Sequence, residues 1–137
     1  MTKEACGWMN DRGLANWYMS DGYVCLVGKT KGEIRQRRVD ICTDRYDIDS
    51  IHRLQDMLHD KFNVDTTLNK RGNVHRIRIR QRSYETFFSI IEPYVVNSMR
   101  YKLYLGYNEK PKWMSDEFWC LQQHLCSANT LTSNVEG

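Results

Sequence analysis

Residues 76–82 read Arg-Ile-Arg-Ile-Arg-Gln-Arg. A period of two has one simple solution, an extended strand whose successive side chains leave on opposite faces. Arg76, Arg78, Arg80 and Arg82 then share one face, and Ile77 and Ile79 the other. The isoleucines need an apolar cover, while the arginines need water or a polyanion. Such a strand belongs in a sheet with helices on one face and the other face open.

The rest of the chain supplies that sheet. Asn10 precedes an apolar-periodic run and predicts a capped helix over 11–20, stopped by Gly22. Residues 23–29 and 34–43 read as two strands joined by the glycine-containing turn KTKGE. Asp47 predicts the cap of a second helix over 48–62, whose Ile51, Leu54, Leu58 and Phe62 recur at helical spacing. A second hairpin runs from Val64–Asn69 to Asn73–Arg82 around Lys70-Arg71-Gly72. Ser83 is expected to cap a third helix carrying Phe87, Phe88 and Ile91 and interrupted by Pro93. A short helix over 115–126 and a fraying polar tail follow. The order is helix, hairpin, helix, hairpin, helix, an α+β chain with one antiparallel sheet.

Charge gives the open face a chemistry. The net charge of +3 conceals +4 on residues 29–38 and +6 on residues 70–82, which leaves −7 elsewhere. Lys29, Lys31, Arg35, Arg37 and Arg38 stand in the first basic segment. Lys70, Arg71, Arg76, Arg78, Arg80 and Arg82 stand in the second. A solvated face protecting a sheet edge would also be charged, yet it would mix signs, because like charges in a row repel. Basic residues gathered on one face of an otherwise acidic chain point to nucleic acid. A two-stranded ribbon fits the major groove, where arginine binds guanine bidentately. Which arginine reads a base and which holds a phosphate stays open at this level.

The remaining composition narrows the setting. No apolar run approaches the length of a membrane span, and the N-terminal residues lack the apolar core of a signal peptide. Five cysteines without a CxxC pair favour a reducing, intracellular setting, with organelle, bacterial and phage-infected cytoplasm equally compatible. Cys120, His124 and Cys126 lie close together but match no common zinc spacing. The four histidines show no spacing that demands a metal or a nucleophile, and Trp8, Trp17, Trp113 and Trp119 read as core or interface residues.

Residues 13–22, GLANWYMSDG, pose a different problem. The helix ends on Asp21, although the C-terminal end of a helix already carries partial negative charge. Gly13, Asn16 and Ser20 form a stripe of small side chains that would admit a second helix, while Leu14, Trp17 and Tyr18 turn toward the chain's own core. Two such helices would bring two copies of Asp21 together, an arrangement suited to a divalent metal with hard oxygen ligands. Taken alone, Asp21 is also compatible with an ordinary helix-end turn, and Lys102 with a solvated surface lysine.

LANWYMSDG resembles the LAGLIDADG motif of homing endonucleases in its LAxWYMDDG form. SIIEPYVVNSMRYKL is similar to the IxPYIxPSMxYKL ending of the same branch, and TDRYDIDSIHRLQDML to its strand-to-helix passage. The likeness runs from about residue 10 to 104 and is nearest to the second half of single-chain, omega-type intron-encoded enzymes. It implies an αββαββα unit within residues 1–109, whose sheet forms a saddle over double-stranded DNA, with 110–137 as a C-terminal helix and tail. It also implies catalytic roles for Asp21 and Lys102, a lesser one for Asp44, and metal ligation by Asp21 and the Ser20 carbonyl. The implied reaction is hydrolysis of one phosphodiester per strand across the minor groove with Mg²⁺ or Mn²⁺, leaving short 3′ overhangs. With one motif, the chain would act as a homodimer through Gly13, Asn16 and Ser20, or as half of a heterodimer with another subunit of the family. A non-cleaving binder of the same fold, such as an RNA maturase or a structural component, is the alternative. Ser20, Asn16 and Asn97 depart from the usual acid or alanine, glycine and proline of these motifs.

Overall fold

The computed structural model describes the backbone at residues 3–30, 33–107 and 109–124, and side chains at 6–24, 37–107 and 109–124. Seven elements form the αββαββα order: α2 (Asp11–Asp21), β1 (Gly22–Thr30), β2 (Glu33–Ile41), α3 (Ile48–Phe62), β3 (Thr66–Arg71), β4 (Val74–Ile79) and α4 (Tyr84–Ile91). A short α1 (Lys3–Trp8) precedes them, and α5 over 116–124 follows. The four strands pair antiparallel in the order β1-β2-β4-β3.

Local chemistry explains the helix ends. Asn10 accepts from the Gly13 N–H at 2.8 Å and starts α2. Asp47 does the same for α3 through Ser50. Asn63 ends α3 in the left-handed region at φ 56°, so that the Asn63 and Val64 N–H groups return to the His59 and Leu58 carbonyls. Ser83 stands at the start of α4 but does not cap it. Its hydroxyl instead accepts from the Asp65 N–H at 2.9 Å and fastens β3 to α4.

The register fixes the two sheet faces. Val39 and Ile41 of β2 lie beside Ile79 and Ile77 of β4, and all four are buried under the helices. Asp40 and Arg78 are opposite one another on the other face, with Tyr23 of β1 beside Asp40. An aromatic cluster joins the helices over the buried face. Tyr18 of α2 meets Phe87 edge-on at 5.2 Å, and Phe88 of α4 stacks on Phe118 of α5 at 5.5 Å. Phe118 is therefore core, and α5 is locked further by the buried Gln122, whose amide bonds the Leu103 carbonyl and the Leu105 N–H. Gly22 is set by packing: a Cβ there would lie 2.1 Å from the Tyr18 ring.

Two further sequence expectations change. β4 ends at Ile79, and Gln81–Ser83 forms a 3₁₀ turn, so Arg80 and Arg82 leave the strand alternation. The ladder of the second hairpin runs on to Arg71 opposite Val74, which moves the turn to Gly72-Asn73. Lys31, Cys126 and the expected tail lie outside the described residues. No helix among the described residues is long and apolar enough to cross a membrane.

Candidate active site and nucleic-acid interface

α2 delivers Asp21 to the junction of helix and sheet, where its carbonyl accepts from the Cys42 N–H at 2.9 Å. The Asp21 side chain is half-buried and meets no cation among the described residues. A carbonyl at that helix end, unlike the Asp21 carboxylate, finds a cation. Lys102 Nζ donates to the Met19 carbonyl in the last turn of α2 at 2.6 Å, placing a cation where the helix dipole is negative. The buried Tyr18 returns the contact, its hydroxyl donating to the Lys102 carbonyl at 2.8 Å. Burial pushes the Tyr18 hydroxyl pKa well above the ordinary phenol value, which keeps it a donor. Lys102 and Asp21, far apart in sequence, thus share one end of one helix.

The outward stripe of α2 is the one the spacing predicts. Asn16 and Ser20 are exposed and Gly13 is half-buried, while Leu14, Ala15, Trp17, Tyr18 and Met19 are buried. Apolar surface borders the stripe. Tyr94 and Val96 are exposed, Arg12 lies over the Tyr94 ring at 5.5 Å, and the Val96 N–H reaches the Met19 sulfur.

On the open face, acids from distant segments meet the arginines. Arg76 binds both Asp44 oxygens, at 2.9 and 2.7 Å, and Arg78 binds both oxygens of the fully buried Asp40, at 2.9 and 3.3 Å. Arg82 binds Asp65, which also meets His59. The segment that carries no acid of its own is therefore partly neutralised by tertiary contacts. Hydrogen bonding by Arg76 holds the Asp44 carboxyl below the usual carboxylate range. The pair's contribution is thus present above the ordinary carboxylate pKa and disappears only as pH falls through the lowered value, far from neutrality. Each Asp44 oxygen accepts from Arg76, so the structure pairs Asp44 with that arginine.

Lys70, Arg71 and Arg80 are exposed and make no ion pair among the described residues. The Arg37 guanidinium lies over the Tyr107 ring at 5.7 Å and against Gly106. Arg37, Arg38, Arg78, Arg80 and Arg82 together line a cleft of about 550 Å³ beyond the end of β4. For Lys29 and Arg35 only a place in the strands is described. The pairing of Asp40 with Arg78 escaped the sequence reading, although an acid inside the apolar run Val39-Asp40-Ile41 is a signal for a buried ion pair.

Residues 1–87 match the LAGLIDADG DNA endonuclease family. DNA endonuclease I-ChuI of Chlamydomonas applanata is 31% identical over 100 residues, spanning 69% of this chain and 43% of that protein. Cytochrome b mRNA maturase bI2 of Saccharomyces cerevisiae is 30% identical over 93 residues, 66% of this chain and 20% of that protein. The homing endonuclease I-WcaI, solved bound to its DNA recognition sequence, shares the fold with a TM-score of 0.67 at 23% identity, covering 78% of this chain and 46% of that one. The chain thus spans less than half the length of each of these proteins.

Proposed function

Because the chain belongs to the LAGLIDADG DNA endonuclease family, we propose that it is one half of a site-specific DNA endonuclease, with its active site completed by a second motif helix. The observation that carries this reading is Asp21, a half-buried carboxylate without a cation partner among the described residues, at the helix end whose Met19 carbonyl Lys102 binds. An acid in that position raises the energy of the isolated fold, and a catalytic role accounts for its presence.

The donor set suits a hard divalent ion. The Asp21 carboxylate and the Ser20 carbonyl would hold Mg²⁺ or Mn²⁺, and a single chain brings no cluster of three ligating side chains among its described residues. Such an ion supplies Lewis-acid stabilisation of charge at the scissile phosphate. The chain's own residues do the positioning. Lys102, anchored at Met19, keeps two further N–H donors for a phosphate oxygen or the attacking water. The Gly13–Asn16–Ser20 stripe, with Tyr94 and Val96 at its border, receives the second helix from a copy of this chain or from another subunit of the family. The basic sheet face tracks double-stranded DNA.

The test is incubation of supercoiled plasmids carrying a randomised insert with the protein and Mg²⁺ or EDTA. Linear product with short 3′ overhangs in Mg²⁺ alone is expected, at a site with two related halves. Binding without cleavage in either Mg²⁺ or Mn²⁺ would overturn the reading. The similarity to a maturase favours RNA binding as the second reading, and tighter binding of structured RNA than of any selected duplex would then be found. A mass of 16.3 kDa in solution, unchanged by DNA, would contradict the shared site.

Tyr18→Phe probes the positioning of Lys102. Losing the hydroxyl leaves the Lys102 carbonyl unpaired and should cost about 1 kcal/mol in urea unfolding. Because the lysine backbone is loosened, the cleavage rate should fall by about tenfold or more with DNA affinity retained.

A further inference from the structure

Arg76 is held on the open face by two partners at once. Its Nε and Nη2 donate to Asp44 Oδ1 and Oδ2 at 2.9 and 2.7 Å, and its Nη1 donates to the Tyr23 hydroxyl at 2.8 Å. A guanidinium fixed by three bonds from two partners has little freedom to turn. It retains one N–H on each terminal nitrogen. Tyr23 and Arg76 lie on the open face, with Tyr23 opposite Asp40 and Arg76 opposite Asn69 in the ladder. The group is half-buried in that face, and those two N–H groups are the donors it can still offer a ligand.

We propose that Tyr23 and Asp44 are positioning residues that aim Arg76 at a guanine in the major groove, which makes Arg76 a specificity-determining residue and leaves phosphate binding to Lys70, Arg71 and Arg80. This inference rests on the DNA-binding reading above and goes beyond it in dividing the basic face by task. Charge decides the division. Phosphate affinity comes from net positive charge that displaces counterions, and a guanidinium paired with a carboxylate has almost none to spare. Guanine recognition depends on direction, since its N7 and O6 acceptors lie side by side and require two donors in a fixed fork. Arg76 has lost the first property and gained the second. Lys70, Arg71 and Arg80 are the reverse case, exposed and without an ion pair among the described residues.

The experiment selects bound duplexes from a randomised DNA pool in EDTA, using the full chain and its Arg76→Gln, Asp44→Asn, Tyr23→Phe and Lys70→Gln variants. The unaltered protein should enrich a guanine at one position of each half-site, and 7-deazaguanine at that position should weaken binding about tenfold or more. Arg76→Gln should abolish that preference and respond no further to 7-deazaguanine. Lys70→Gln should instead keep the preference and reduce the log–log salt slope by about 0.9.

Asp44→Asn gives the most diagnostic result. Freeing the guanidinium should raise affinity for the whole pool and steepen the salt slope by up to about 0.9, while discrimination at the guanine falls several-fold. Tyr23→Phe should lower discrimination without steepening the slope. A structural role for these residues would lower affinity uniformly and so overturn the proposal. So would an Arg76→Gln variant that loses salt dependence without a change at any one position. Failure of the unaltered protein to bind any duplex overturns both this inference and the reading beneath it. Binding without a guanine that depends on Arg76 overturns this inference alone.

Discussion

Asp21→Asn is expected to remove cleavage while making the protein slightly more stable. The rate should fall by two to three orders of magnitude or more, the scale of loss when one charge-stabilising group is removed from a transfer site. DNA affinity should hold or rise, because a negative charge near phosphates has been deleted. The stability change follows from the structure. Asp21 closes α2 at its negative end, and no cation among the described residues neutralises it. Asparagine relieves that clash and should gain about 0.3–1 kcal/mol. Cleavage assays and urea unfolding on the same preparation check both limbs. Loss of stability together with activity would identify Asp21 as a structural residue and remove the main support for an active site there. A carboxylate that costs stability and confers activity is the usual signature of a functional group.

Arg78→Ala should destabilise the fold by about 3–5 kcal/mol, because it strands the fully buried Asp40 without its cation. That is a large share of the 5–15 kcal/mol that holds a typical domain together. Arg76→Ala removes an equally well-formed pair two residues away, yet should cost only a small fraction of that. Asp44 keeps access to water and is rehydrated when its partner leaves. Urea midpoints of the two variants give the comparison directly, and the double change Asp40→Asn with Arg78→Ala should recover part of the loss. Equal effects would mean that burial does not control these pairs. The contrast also separates their roles: Arg78 with Asp40 holds the sheet together, whereas Arg76 with Asp44 is free to serve recognition.

Much of the fold was legible in the chain. The predicted second helix, 48–62 with its Asp47 cap, is α3, because its apolar spacing and its cap residue point to the same boundaries. The motif helix was likewise readable in its cap, its buried residues and its outward stripe. Ile77 and Ile79 are buried as their alternation requires. Legibility ends where a local pattern outlasts its cause. The alternation of 76–82 continues past Ile79, but β4 stops there, and the Arg80 N–H turns to the Asp65 carbonyl.

Periodicity, caps and turn residues act within a few positions along the chain, so the order of amino acids alone settles which elements form and which of their sides are apolar. It also carried the motif that ends in Asp21. The charge balance of the open face, by contrast, comes from contacts made across the fold. Asp40, Asp44 and Asp65 come from outside the second basic segment and reach its arginines across the sheet. The structure also brought Lys102 to the Met19 carbonyl near the end of α2, 83 positions away in the chain. Electrostatic partners are chosen by distance in space, which spacing along a sequence does not encode.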